Sequence, residues 1–144
     1  MLNVKSRCCD KTMHFPKSKG IRDMLECSSM IHLSDKKCAA CEGGVPPLGE
    51  KDIKTFMSQL KSGWEVADNK KIRKEFKFSA QDSNRSPFIQ AMDFVNKVAV
   101  IAEQEGHHPD IYIFYNIVKI ELSTHAIGGL SENDFILAAK IDNI

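Results

Sequence analysis

Three of the five histidines in this 144-residue chain fall within nineteen positions. His107 and His108 lie in Glu103-Gln104-Glu105-Gly106-His107-His108-Pro109, and His125 lies in Ser123-Thr124-His125. Imidazole has the ordinary pKa nearest neutrality, so such a group points to proton transfer or to metal binding. Histidines that cluster at a surface without a role are the third reading. Spacing weakens the metal reading, because the set lacks the helical i, i+4 pair of the common zinc hydrolases. Acid–base catalysis asks only that a group reach the proton to be moved, and it contributes about 10²–10⁴-fold in rate. Spacing alone leaves idle clustering and acid–base catalysis both open.

A second set of chemically capable side chains lies upstream. Cys8, Cys9, Cys27, Cys38 and Cys41 all fall in the first 41 residues. Their odd number fits a reducing compartment, the cytoplasm, better than a secreted disulfide framework. Cys38-Ala39-Ala40-Cys41 has the spacing of a zinc half-site, but the chain contains no second pair to complete four ligands. A thioredoxin-like use would want a helix after the motif, and Glu42-Gly43-Gly44-Val45-Pro46-Pro47 reads as a loop. The plain expectation is a loop with two surface thiols.

The elements that must hold the histidines are readable from periodicity. Ile53, Phe56, Met57 and Leu60 fall at helical spacing, predicting a helix from Gly49 through Ser62 with Gly63 ending it. Trp64-Glu65-Val66-Ala67, a turn at Asp68-Asn69-Lys70 and the alternating run Ile72 to Phe78 predict a hairpin. Ser86-Pro87 starts a long helix, which Gly106 stops. Its apolar arc is broad. Phe88, Ala91, Met92, Val95, Val98, Ala99 and Ala102 are extended by Ile89, Phe94 and Ile101, which predicts packing on the sheet and also at a subunit interface. Burial by the domain alone is the competing account.

His107 and His108 then sit in the connection to the third strand. Pro109 biases His108 toward an extended backbone, so the two imidazoles diverge. Ile111 to Tyr115 and Ile117 to Thr124 predict a second hairpin, with His125 ending the polar face of its last strand. Gly128-Gly129 breaks the chain. Ser131 and Asp134 form a capping box for a final helix. The order α-β-β-α-β-β-α predicts an α+β domain, a four-stranded antiparallel sheet with helices on one face.

Composition agrees with a single globular domain: 42% of residues are hydrophobic and 27% charged. The net charge of +1 gives no electrostatic case for nucleic acid or acidic lipid. No apolar run approaches the roughly 20 residues of a membrane helix. Residues 1–32 read as an extension before a domain over 33–144. They hold no continuous apolar signal core, and a transit peptide, a disordered tail and a true start at Met24 or Met30 stay open.

Taken together, Glu103-x3-His107-His108-Pro109-x5-Tyr115-Asn116, then Ser123-Thr124-His125 and Gly129-Leu130-Ser131-x2-Asp134, resemble the signature of the pterin-4a-carbinolamine dehydratases. Gly63-Trp64, Asn84-Arg85 and the stretch from Cys38 to Leu48 carry the resemblance upstream, so it covers roughly Leu33 to the C terminus. The resemblance implies dehydration of 4a-hydroxytetrahydropterin to quinonoid dihydropterin, in tetrahydrobiopterin recycling, with neither metal nor separate cofactor. It implies His107, His108 and His125 as the catalytic set, with His107 the main acid–base group, His108 its partner at the 4a-hydroxyl and His125 supporting. It further implies Glu103, Trp64, Pro109, Ser123, Thr124 and Asp134 as substrate-side residues, and a homodimer or homotetramer. The alternative it carries is a non-catalytic dimerisation or assembly cofactor that binds a protein partner. Asp110-Ile111 departs from the acidic residue and Trp of animal members, at what would be the pocket rim.

Overall fold

The computed structural model describes residues 32–39 and 45–144. Cys41 and residues 1–31, which include nearly all of the expected extension, lie outside them. Three α-helices, α1 (Glu50–Met57), α2 (Pro87–Glu105) and α3 (Glu132–Ile141), alternate with four strands, β1 (Glu65–Ala67), β2 (Lys71–Lys77), β3 (Asp110–Phe114) and β4 (Ile117–Leu122). The strands form one antiparallel sheet in the order β1-β2-β4-β3. The expected α+β architecture is present.

Both hairpins close through backbone that most side chains avoid. Asp68 and Asn69 have φ of 52° and 53°, the positive values that match the twist of a tight hairpin and that short polar side chains tolerate. Tyr115, with φ of 54°, does the same between β3 and β4, and its ring stacks on Phe88 of α2 with centroids 6.1 Å apart. Asn116 ties that turn to the end of β2: its side-chain amide donates to the Phe78 carbonyl at 2.7 Å.

Register sorts the sheet into two unlike faces. Ile72, Phe76, Val118, Ile120 and Leu122 point to the helices, and their neighbours on α2 and α3 include Ala91, Phe94, Val98, Phe135 and Leu137. The opposite face is charged. There Glu121 accepts from Lys71 at 2.7 Å and from Lys119 at 3.0 Å, so the two lysine stems cover it. Only part of α2's broad arc is used for this core. Phe88, Ile89 and Val100 stay exposed, as do Tyr112, Ile113, Phe114 and Tyr115 on or next to the edge strand β3.

The first helix is shorter than periodicity predicts. It ends at Met57 rather than Ser62, and Gln59 and Leu60 continue it as a tighter turn through bonds to the Phe56 and Met57 carbonyls. The cause is local: Thr55 and Ser58 direct their hydroxyls at the Lys51 and Thr55 carbonyls, competing with the helical ladder. Gly63, with φ of 100°, then redirects the chain into Trp64.

Beyond the far end of α3, Asp142 gathers three elements. Its carboxylate accepts from Lys74 of β2 at 2.7 Å, from the Trp64 indole at 3.1 Å and from the Lys61 backbone at 3.1 Å. The side chains of Asp142 and Lys74 are 3% and 14% exposed, so water replaces neither partner easily. Asp142→Asn is expected to lower stability by about 1–3 kcal/mol, because it leaves a part-buried ammonium without its counter-charge. Urea denaturation of the variant checks this, and a loss near zero would show the cluster to be solvated.

Candidate active site

The end of α2 is built by a glycine. Gly106 takes φ of 63°, its N–H donates to the Glu103 carbonyl, and the His107 N–H reaches back to Ala102 at 3.2 Å. These two bonds are a Schellman cap, which fixes the backbone of His107 as rigidly as the helix itself. The imidazole is thereby aimed inward: His107 is only 5% exposed.

Its partner comes from the start of α3. His107 Nε2 lies 2.7 Å from Asp134 Oδ1, and Asp134 is fully buried. The other carboxylate oxygen accepts from the Ser131 N–H at 2.8 Å, the expected reach-back of the capping box, and from Thr124 Oγ1 at 2.9 Å. A buried carboxylate is tolerated when its lone pairs are filled, and the N-terminal turn of a helix favours its charge. A carboxylate has no proton to give, so in this bond His107 Nε2 donates and Asp134 Oδ1 accepts. One side chain therefore both caps α3 and orients an imidazole.

His108 makes a second pair of opposite character. Its Nε2 lies 3.0 Å from Glu103 Oε1, one helical turn before the cap, and both side chains are mostly in solvent. The two imidazoles diverge, as Pro109 requires. They meet two different carboxylates, one buried and one exposed. Among the described residues no group of three His, Cys, Asp or Glu side chains converges to hold a metal.

His125 is not where strand alternation puts it. β4 ends at Leu122, and His125 opens a 3-10 turn, His125–Ile127, that leaves its ring exposed. The strand stops because Thr124 pairs with Gly129 across an isolated bridge, closing the intervening residues into a loop. Gly129 is needed there: a Cβ would stand 2.7 Å from Pro47, whose neighbour Leu48 donates to the Leu130 carbonyl.

The other expected residues divide. Pro109 and Ser123 are half-buried beside the histidines in sequence, at the β3 and β4 ends that the sheet register brings together. Thr124 and Asp134, expected on the substrate side, are buried and bonded to each other, and Asp134 also to His107. Trp64 is not brought to this cluster. It is buried on Asp142, and Asp142 stands eight positions beyond Asp134, about 12 Å along the helix axis.

Sequence reasoning passed over Glu105. Its carboxylate accepts the Cys38 N–H at 2.9 Å and pairs with Lys140 of α3 at 2.9 Å. The Cys38 N–H is the largest cause holding this carboxyl below the usual Glu range; burial opposes it, and Lys140 and then Lys37 add to it. A depressed carboxyl contributes stability that is complete above the ordinary Glu pKa, about 4.3, and is lost as pH falls through the folded-state value. Wild-type protein is therefore expected to lose more stability than Glu105→Gln between pH 6 and about pH 3. Parallel denaturation curves for the two proteins measure this, and equal losses would refute it.

The profile of the pterin 4 alpha carbinolamine dehydratase family matches residues 46–144. Relatives described as "putative pterin-4-alpha-carbinolamine dehydratase" include one from Nitrosomonas eutropha, 48% identical over 80% of this chain and 95% of its own. Another, from Rickettsia canadensis, is 47% identical over 79% of this chain and 98% of its own. A crystal structure described as a transcriptional coactivator/pterin dehydratase from Brucella melitensis superposes with a TM-score of 0.59. It is 31% identical and covers 67% of this chain and 96% of that one. The chain belongs to the pterin 4 alpha carbinolamine dehydratase family.

Proposed function

We propose that this protein dehydrates a 4a-hydroxytetrahydropterin to the quinonoid dihydropterin, in the cytoplasm, with His107, His108 and His125 as its acid–base groups. The observation that carries the reading is the buried His107–Asp134 pair in a chain of this family. The reaction gives up one water. The C4a–O bond breaks as an acid protonates the departing hydroxyl, a base takes the proton from N5, and the C4a=N5 double bond forms. One proton is given and one is taken, so the protein supplies neither electrons nor a redox group.

His107 suits the main acid–base role because the Asp134 carboxylate holds its ring in one orientation through a 2.7 Å bond. Asp134 and Thr124 act here as positioning residues, since Asp134 bonds the imidazole and Thr124 bonds the other oxygen of that carboxylate, both away from solvent. His108 suits the 4a-hydroxyl: it is exposed, and its Nε2 lies 3.0 Å from the Glu103 carboxylate, which orients the ring. His125 supports from the 3-10 turn, with Pro109 and Ser123 at the rim. Purified protein is expected to turn over a 4a-hydroxypterin equally with and without chelator. His107→Ala, with near-UV circular dichroism retained, should lose about 10²–10⁴-fold in kcat. Chelator sensitivity would revive a metal mechanism. An inactive wild-type protein would move the reading to the partner-binding role suggested by the coactivator description of the Brucella relative.

The exposed apolar residues support a homodimer or homotetramer. Phe88, Ile89 and Val100 lie on α2, and Tyr112, Ile113 and Phe114 run along a strand bonded on one side only, with Tyr115 in the turn that follows. An uncovered apolar edge strand is an association site in water. Light scattering is expected to give a multiple of the 16.2 kDa chain mass, and Phe114→Glu should shift it toward the monomer. A monomeric wild-type protein would end this reading.

A further inference from the structure

The segment before α1 crosses the molecule where the two halves of the site meet. Leu33 is buried among α3 residues and anchors one end. Lys36 reaches Glu132 at 2.6 Å. The Cys38 N–H donates to Glu105 at 2.9 Å, two residues before His107. Ala39 is held at both peptide groups by one side chain: its N–H donates to Asn133 Oδ1 at 3.0 Å, and its carbonyl accepts from Asn133 Nδ2 at 2.8 Å. Asn133 immediately precedes Asp134 and is 7% exposed.

This strap spans the joint between the end of α2 and the start of α3. The end of α2 carries His107 and the start of α3 carries Asp134. A 2.7 Å bond between side chains on two different helices is sensitive to a shift of either. Glu105 is clamped both to the strap and to Lys140 of α3, and Asn133 grips the strap from the α3 side. A two-point amide-to-peptide pair fixes direction as well as distance, which a single bond does not. We propose that the strap over Leu33–Ala39, acting through Glu105 and Asn133, sets the geometry of the His107–Asp134 pair, and that Asn133 and Glu105 are positioning residues for the dehydration. This rests on the dehydratase reading for its kinetic arm only. It also gives the stretch around Cys38 a use that requires no chemistry of the thiol.

The test uses the full chain with Asn133→Ala, Glu105→Ala, Glu105→Gln and, as a control at the other end of α3, Asp142→Asn. Two readouts are taken: kcat and KM on a 4a-hydroxypterin, and the solvent exchange rate of the His107 Nε2 proton by NMR, assigned against His107→Ala. Asn133→Ala and Glu105→Ala should lower kcat about tenfold with KM within about twofold, and speed that exchange by a similar factor, since sub-ångström misplacement of an acid–base group is costly. Glu105→Gln keeps an acceptor for the Cys38 N–H and should restore both values to within about threefold of wild type. Asp142→Asn should lower Tm yet leave both unchanged. Strap variants that behave like Asp142→Asn, losing stability alone, would overturn the proposal. Should the wild-type protein show no turnover, the dehydratase reading falls by itself, and the exchange rates still decide for or against the strap.

Discussion

The His107–Asp134 hydrogen bond is the constraint around which the rest of this end of the molecule is arranged. A carboxylate with no exposed surface is stable only if every oxygen is served, and here the servers come from three separate stretches. His107 arrives on the glycine cap of α2, Thr124 on the loop that leaves β4, and the Ser131 amide on the first turn of α3. Satisfying one buried charge therefore fixes the mutual position of two helices and a sheet end. The same bond orients the imidazole. Structural and chemical demands fall on one pair of atoms.

That economy explains the contrast between the adjacent histidines. His108 differs from its neighbour by one residue, yet its partner Glu103 lies in solvent, where the pairing is weak and readily exchanged for water. The proposed dehydration asks for one group held at a fixed angle and one that can deliver and recover a proton. A buried pair beside an exposed pair suits that proposal, and the extended backbone that Pro109 favours separates them. The opposite end of α3 has its own buried carboxylate, Asp142, served by Lys74, Trp64 and Lys61. With a carboxylate anchored at each end, the helix has little freedom to slide along the sheet.

Much of this was legible in the sequence because the signals are local. Ser86-Pro87 and Gly106 mark the ends of α2 within their own turns, Ser131 and Asp134 mark the start of α3, and the alternation of β2 and β4 gives the faces of the sheet. Where reading fell short, the deciding contact was distant. The buried role of Asp134 depends on His107, twenty-seven positions away, and the clamp of Asn133 on Ala39 spans ninety-four. Spacing rules contain no information about such pairs. Trp64 shows the same limit, since nothing near it announces that its indole meets Asp142. The strand end before His125 fell short for another reason: alternation assumes that a strand continues, and β4 stops two residues early, where Thr124 bridges to Gly129.

The pattern has a physical consequence for how this site tolerates change. His107, Thr124, Ser131 and Asp134 share one buried network, so their substitutions should not act independently; removing any one exposes or orphans the others. His108, Glu103 and His125 face solvent and can vary in position without cost to the fold. Under the proposed function, stability and reactivity are thus coupled at the buried pair and uncoupled at the exposed one. The architecture concentrates its rigidity on a single imidazole, and leaves His108, Glu103 and His125 in solvent around it.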